Sequence, residues 1–467
     1  MKKINDMKKI AIISIICFMF IASGCEKYIE GNDVSPNLPA EATPSLLLSH
    51  CELAMMVHYT GQLSRTPSIL MQQSAGTDFQ MIDVANYLIQ EGDNINEWNS
   101  IYASGLSSDQ ILIDLAGDAN PHYRGIAKVI KAMELGLATD IWGDVPNREA
   151  LQASKGEEFF NPHFDAQQIV IQDIQSLLSS AITDLDATKS NLLFPSTDDF
   201  IHQGATDKWI KTAWILKARY ANRLSKRDPS GSATLALSYL ASAGLTGNSD
   251  DANAVFGTNG NELNQWYAFN LNRQNYIKMG KYFIELLKST ADPRLAFYAT
   301  TDDDGNYTGT APDSTNTNTS NLGAYYGSEA SPLPLVTYVE AKFIEAEANL
   351  RLGNTQAAAD AHNAAVIASV EKVTDATIDP VYQAANAAET SASITLDKIM
   401  TQKYIALFTQ VEVWSDWRRT NLPILSPNPA GVVNAIPRRF VTSFDERISN
   451  VNAIIITDIL KPVWWDE

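Results

Sequence analysis

The chain has 467 residues, with 54 acidic against 35 basic side chains, a formal net charge of −19 at pH 7. Such a surface repels nucleic acid and anionic lipid headgroups, so neutral or mixed ligands are expected before polyanions. Hydrophobic residues make up 45% of it and there are three Cys, which allows a large core but no disulfide framework.

Lys2, Lys3, Lys8 and Lys9 open the chain, an apolar run fills residues 10–21, and Ala22, Ser23 and Gly24 lead to Cys25. A charged start, a short apolar run and small residues predict a cleaved export signal over residues 1–24. The run is shorter than the roughly 20 residues of a membrane-spanning helix. Cys25 after Ala-Ser-Gly resembles the bacterial lipobox, with Ala22 standing where Leu is commoner, and Cys25 is the expected lipidation site. At about 0.8 kcal/mol per buried CH₂, two or more acyl chains hold stably to a membrane. Membrane attachment is therefore expected through the lipid alone. The acidic, polar residues 26–33 resemble the segment that some Gram-negative lipoproteins use to reach the outer face. Residues 25–44 read as a tether, with Pro36, Pro39 and Pro44. Cys51, the one thiol left after cleavage and lipidation, is expected to be a buried apolar residue.

Helical patterns dominate residues 45–467, which read as a single domain. Residues 123–141 are an apolar helix closed by Gly143 and Pro146. Asp165, with Gln168 three positions on, predicts a capped helix over 165–186. Trp209, Ala213, Leu216, Tyr220 and Leu224 share one face of a helix that Asp228-Pro229 should stop. Trp98 and Tyr102, four apart, are expected to pack in the core. From 244 to 330 the composition turns to Gly, Asn, Ser and Thr with scattered aromatics, predicting loops and one helix over 276–287. Ala346, Gly353, Ala358 and Ala365 then occupy the small-residue positions of a tetratricopeptide helix-turn-helix, with Lys342 and His362 where large apolar residues are preferred. A long aromatic helix is expected over 396–417. The fold class is mostly α: tetratricopeptide-like helix pairs forming a scaffold, with an irregular, loop-rich ligand-facing region.

Several segments in order resemble one family. They are Gly125-Ile-Ala-Lys-Val-Ile-Lys-Ala-Met-Glu-Leu135 with Thr139-Asp-Ile-Trp-Gly-Asp-Val-Pro146, then Pro162-His-Phe-Asp165 and Asp292-Pro-Arg-Leu295. Later come Lys403-Tyr-Ile-Ala-Leu-Phe408 with Trp414-Ser-Asp-Trp-Arg-Arg-Thr420, Pro437-Arg-Arg-Phe440 and Val463-Trp-Trp-Asp466. Together, behind a lipobox, they resemble the SusD/RagB outer-membrane nutrient-binding lipoproteins; at Thr442-Ser443 the chain departs from the Tyr-Pro-like pair of many relatives. The resemblance implies a lid-like partner of a SusC-like, TonB-dependent barrel in a Gram-negative outer membrane, binding an oligosaccharide or a peptide at the cell exterior, with no enzymatic activity.

An oligosaccharide offers apolar ring faces and many hydroxyls, which suit exposed aromatics beside planar amides or Arg forks. Three clusters fit. Trp266, Tyr267, Asn270 and Arg273 form the first, Tyr325 and Tyr326 the second, and Gln72, Gln73, Asp78, Phe79 and Tyr87 the third. In contrast, Trp142, Gly143, Asp144 and Pro146 are expected to fix a turn, and Asp416, Arg418 and Arg419 to pair with one another or cap helices. No His pair has zinc-ligand spacing, no nucleophile elbow or phosphate loop occurs, and the Asp302-Asp303-Asp304 run lacks the closing Glu of a calcium loop. No metal or cofactor is expected. Two rivals remain at this level, a glycoside hydrolase with facing carboxylates and a surface assembly scaffold.

Overall fold

In the computed structural model residues 42–467 are described; the expected signal, Cys25 and nearly all of the tether lie outside the described residues. Pro44 at its first residue opens helix α1, Pro44–Thr60, a position where its missing N–H goes unneeded. Next come α2 (Gln62–Leu70) and α3 (Ser107–Ala116). The helices α4 (Pro121–Trp142) and α5 (Gln167–Asp184) lie side by side, as do α6 (Thr206–Arg223) and α7 (Pro229–Ala243). Two shorter helices, α8 (Gln265–Asn272) and α9 (Lys281–Ser289), cross the loop-rich interval. A third pair follows, α10 (Tyr338–Arg351) with α11 (Thr355–Thr374), then α12 (Leu396–Ala406) and α13 (Glu412–Thr420). Residues Pro44–Glu467 make one compact unit.

Three two-stranded antiparallel ladders stitch the connections. β1 (Ser74–Gly76) pairs with β5 (Ile277–Met279), β2 (Val145–Pro146) with β3 (Phe164–Asp165), and β4 (Ala252–Ala254) with β6 (Leu333–Val336). No described helix is long and apolar enough to cross a membrane.

Sequence explains most of these elements. α4 is apolar nearly all round, and accordingly buried on nearly every side. At Gly136 the helix meets the Tyr220 hydroxyl of α6, and an added Cβ would overlap it. In α10 and α11 the expected small residues Ala346, Ala358 and Ala365 are fully buried, and the turn runs through Gly353 at φ +78°. Thr337 caps α10 by accepting from the Glu340 amide. His362 acts as the large residue the repeat prefers: it is buried, 6.0 Å from the Phe343 ring, and burial lowers its pKa to about 4, keeping it neutral. Cys51 is buried as expected, and burial, ahead of the nearby Asp109 carboxylate, pushes its thiol far up.

Four sequence expectations need correction, the first being the single helix over 276–287: residues 277–279 are strand β5, the helix there is α9 from Lys281, and α8 precedes both. Residues 396–417 are two helices, because the chain turns through Thr409 at φ +72°. α6 gives way at Leu224 to a 3₁₀ turn over Leu224–Lys226, and Asp228-Pro229 ends that helical run but also starts α7, where Pro229 is the first residue and Asp228 accepts from the Gly231 amide. Asp165 is not a helix cap. Its carboxylate accepts from the Asn147 and Arg148 amides, and Asp144 accepts from the first amide of α5, that of Gln167. The residues of the 142–146 segment thus fix a turn, with Gly143 at φ +86°.

The helix layers meet at a buried ionic network. Arg223 of α6 touches Asp140 of α4 at 2.8 Å and Glu412 of α13 at 2.6 Å. Arg219 reaches Glu340 of α10 at 2.6 Å. Glu347 of α10 receives Arg419 and Arg351, each at 2.6 Å, and Asp416 receives Lys403 of α12 at 2.7 Å. Burial alone would raise the Glu412 carboxyl, but Arg223 and Arg219 outweigh it and hold the pKa at about 2.

Two tests follow from these buried charges. Glu412→Gln leaves Arg223 and Arg219 short of a counter-charge and should cost about 3–5 kcal/mol in urea unfolding. Asp109 behaves in the opposite way. It is fully buried, and burial followed by the Glu134 carboxylate raises its pKa well above normal. A raised carboxyl gives its stability below the unfolded pKa and loses it as pH climbs toward the folded one. The melting temperature of Asp109→Asn should therefore gain on that of the parent between pH 4.5 and 7.5; a constant difference would show that Asp109 does not titrate in this way.

Candidate ligand-binding site

The β1–β5 ladder brings two distant segments together. Gly76 is opposite Ile277, the Thr77 amide donates to the Tyr276 carbonyl at 2.9 Å, and the Thr77 hydroxyl donates to the Asn275 carbonyl. The chain then turns at Phe79, which sits at φ +43°, ψ −136°, a region that L-residues rarely occupy. Its amide donates to the Asp78 carboxylate at 3.0 Å. The result is an aromatic ring that is 64% exposed and stacked on Tyr276, with centroids 4.9 Å apart and planes 21° apart. Strained backbone of this kind is enriched at ligand clamps.

Tyr276 leads on to α8. The Asn264 side chain caps this helix by accepting from the Trp266 and Tyr267 amides. Phe269 lies 6.1 Å from Tyr276, with the Arg65 guanidinium 4.3 Å over its ring and that of Arg273 at 5.2 Å. Burial lowers the Arg65 pKa to about 10, which leaves it charged at neutral pH. Beside these rings is a cavity of about 330 Å³, lined by Tyr267, Asn270, Gln274, Asn275 and Asn321 with Leu271 and Leu322. The Tyr267 hydroxyl donates to Glu329 at 3.1 Å. Amides offering donors and acceptors next to flat apolar faces are what a polyhydroxylated ring requires.

Tyr267, Asn270 and Arg273 of the first sequence cluster and Phe79 of the third come together on this face. The rest do not. Trp266 is 1% exposed, and its indole donates to the Ser64 hydroxyl at 3.1 Å, 6.4 Å from the Phe408 ring. That corrects the expectation of an exposed ring: one face of α8, carrying Trp266 and Phe269 three positions apart, turns inward. Tyr326 is buried too, stacked on Tyr298 at 5.7 Å around the same Phe408. Tyr325 is half-buried and donates to the Lys372 carbonyl. Gln72 and Gln73 are buried, and their amides donate to the Ser426 and Tyr404 carbonyls at 2.6 and 2.7 Å, so they tie segments together. Tyr87 is buried, its hydroxyl accepting from the Asn428 amide.

Sequence reasoning missed Tyr276 as a site residue, together with Gln274, Asn275 and Asn321. An Asn/Gln-rich stretch ending in Tyr was visible at 270–276. Its partner Phe79, nearly two hundred positions away, was not. Among the described residues no group of His, Cys, Asp and Glu could hold a metal.

A family profile described as SusD-like, starch-binding and associating with the outer membrane, matches residues 36–441. Among solved structures, a SusD/RagB family protein from Bacteroides thetaiotaomicron shares the fold with a TM-score of 0.78 at 24% identity, over 91% of this chain and 99% of its own. A chitin-binding protein gives 0.76 at 23% identity over 91% and 100%. A chitin-binding SusD homologue from Flavobacterium johnsoniae gives 0.76 at 20% identity over 90% and 98%. At these identities the likeness is one of fold. No curated protein matches the chain.

The two aromatics Phe79 and Trp266 should respond oppositely to truncation. Phe79→Gly relieves a backbone cost of about 1–3 kcal/mol while adding chain entropy, and the unfolding midpoint should stay within about 1 kcal/mol of the parent or rise. Trp266→Ala empties a core site and should lose about 3–5 kcal/mol. Equal losses in urea titrations would contradict this division into surface and core.

Proposed function

Because the chain belongs to the SusD-like family of starch-binding proteins associating with the outer membrane, we propose that it captures a neutral oligosaccharide on the Phe79–Tyr276 face and passes it to a SusC-like, TonB-dependent barrel. Proteins of this family bind and do not catalyse. One observation carries the choice of face: an aromatic ring 64% exposed on strained backbone, backed by a second ring and bordered by an amide-lined cavity. A ring held by backbone hydrogen bonds pays little entropy on meeting a sugar. Arg273 adds a fork of donors, and Tyr267, Asn270, Gln274 and Asn275 supply the hydroxyl contacts.

Several features support the wider setting. The lipobox-like Cys25 and the tether over 25–44 suit a lipoprotein held at the cell surface. The net charge of −19 favours a neutral ligand over a polyanion. Starch fragments, from the family description, and chitin fragments, from the names of two structural relatives, head the list of ligands. Peptides are the alternative from the sequence resemblance, and the same titrations decide between them.

Calorimetric titration with malto-oligosaccharides, chito-oligosaccharides and short peptides is the test. One glycan class should bind saturably, and Phe79→Ala should weaken it at least tenfold, about 1.4 kcal/mol. Binding to peptides alone replaces the glycan with a peptide. Glycan binding undiminished in Phe79→Ala removes this face from the proposal.

A further inference from the structure

A second cavity, of about 300 Å³, lies between the end of α4, the start of α5 and the last stretch of the chain, and shares no residue with the Phe79 face. Trp98, Trp142 and Phe164 form its apolar wall, with Gln168, Arg439 and Lys461 among its polar residues. Trp98 also lines a wider depression of about 620 Å³.

Arg439 is the unusual member. It is only 7% exposed. Its hydrogen bonds among the described residues go to backbone carbonyls, Nη2 donating to Trp142 and Nε to Phe440. No carboxylate lies within 4.0 Å of it among the described residues. The other buried guanidinia are answered in one of two ways. Arg219, Arg223, Arg294 and Arg419 each touch a carboxylate. Arg65 and Arg418 lie over aromatic rings, at 4.3 and 4.0 Å. Arg439 has neither and lines a cavity instead. Gly143 leaves it room, since a Cβ there would stand 3.1 Å from Nη2. Burial lowers the Arg439 pKa to about 10, so the group is charged at neutral pH, with Asp144 and Asp458 acting only from a distance. Asp144 is already committed to the Gln167 amide at 2.8 Å, and Glu467 at the cavity is paired with Arg227 at 2.7 Å.

A buried cation without a counter-charge is costly, and an anion that enters recovers that cost. The planar fork of a guanidinium matches a carboxylate. We propose that this cavity is a second ligand site, taking a carboxylate on Arg439 with the Trp98, Trp142 and Phe164 rings against the ligand's apolar face. Its volume admits one unit the size of a sugar or an amino acid. The exposed Lys461 at the lining draws the anion in against the net negative charge of the chain. A uronic acid residue and a peptide C-terminus carry the same carboxylate, and the experiment separates them.

The full chain in detergent solution is titrated calorimetrically at low salt with D-glucuronate, D-glucose, glycylphenylalanine and its C-terminal amide. At least one carboxylate should bind saturably, and its neutral counterpart at least tenfold more weakly. Arg439→Gln should weaken binding at least tenfold. Gln168→Trp, at an exposed position on the cavity lining, should abolish it by filling the space without disturbing the core. Phe79→Ala should leave it unchanged, which separates this site from the glycan face. Glucuronate binding alone assigns a uronic acid, and dipeptide binding alone assigns a peptide end. The proposal is overturned if neither carboxylate binds, or if binding survives Gln168→Trp or a folded Arg439→Gln.

Discussion

Arg223 sits fully buried between Asp140 and Glu412, residues drawn from three helices far apart in the chain. In a low-dielectric interior each of these charges is tolerable only while the other two stay in place. The same holds for Arg219 with Glu340 and for Arg419 with Glu347 and Asp416. Apolar packing alone would let α4, α6, α10, α12 and α13 slide by small amounts at little cost. A network of fixed donors and acceptors does not, so the helix layers have one register.

With that register set, the interval 244–330 has little left to hold together. Its own regular structure is slight, and its anchors are inherited: β5 leans on β1, β4 on β6, and the buried Asp292–Arg294 pair binds Gln402 and Ser369 of the helical layers. Loops over a rigid frame are where binding residues concentrate. The two proposed sites occupy different parts of this arrangement. The Phe79 face draws on the interval and on the segment after α2, whereas the Arg439 cavity is built from the frame and the chain's last residues.

Much of the frame was legible in the sequence because helices declare themselves locally. The 3.6-residue spacing of Trp209, Ala213, Leu216 and Tyr220 needs no knowledge of what they pack against, and the small residues of α10 and α11 mark a close helix contact directly. Failures came where two local signals compete or where the deciding partner is remote. Asp228-Pro229 is both a stop and a start, and only the stop was read. Asp165 had the sequence of a cap, yet Asp144, twenty-one positions earlier, took an amide at the head of that helix. The candidate site was half legible. Phe79, Tyr267, Asn270 and Arg273 were identified by chemistry, but an aromatic in a loop looks the same whether it faces solvent, as Phe79 does, or the Phe408 cluster, as Trp266 and Tyr326 do. Burial is a property of tertiary packing, and no period in α8 is long enough to reveal it.

The β1–β5 ladder has a consequence for how such a protein diversifies. It holds the Phe79 turn to the Tyr276 segment chiefly through main-chain groups, with Thr77 the side chain that takes part. Main-chain hydrogen bonds are indifferent to what is mounted on them. The identities of residues 79, 273 and 274 are therefore open to drift while their positions stay fixed, since the core network that sets the frame lies in other residues. On the proposed face, selection for a different ligand would act on a display surface whose mounting it does not have to rebuild, because the geometry and the side-chain chemistry are encoded in different atoms.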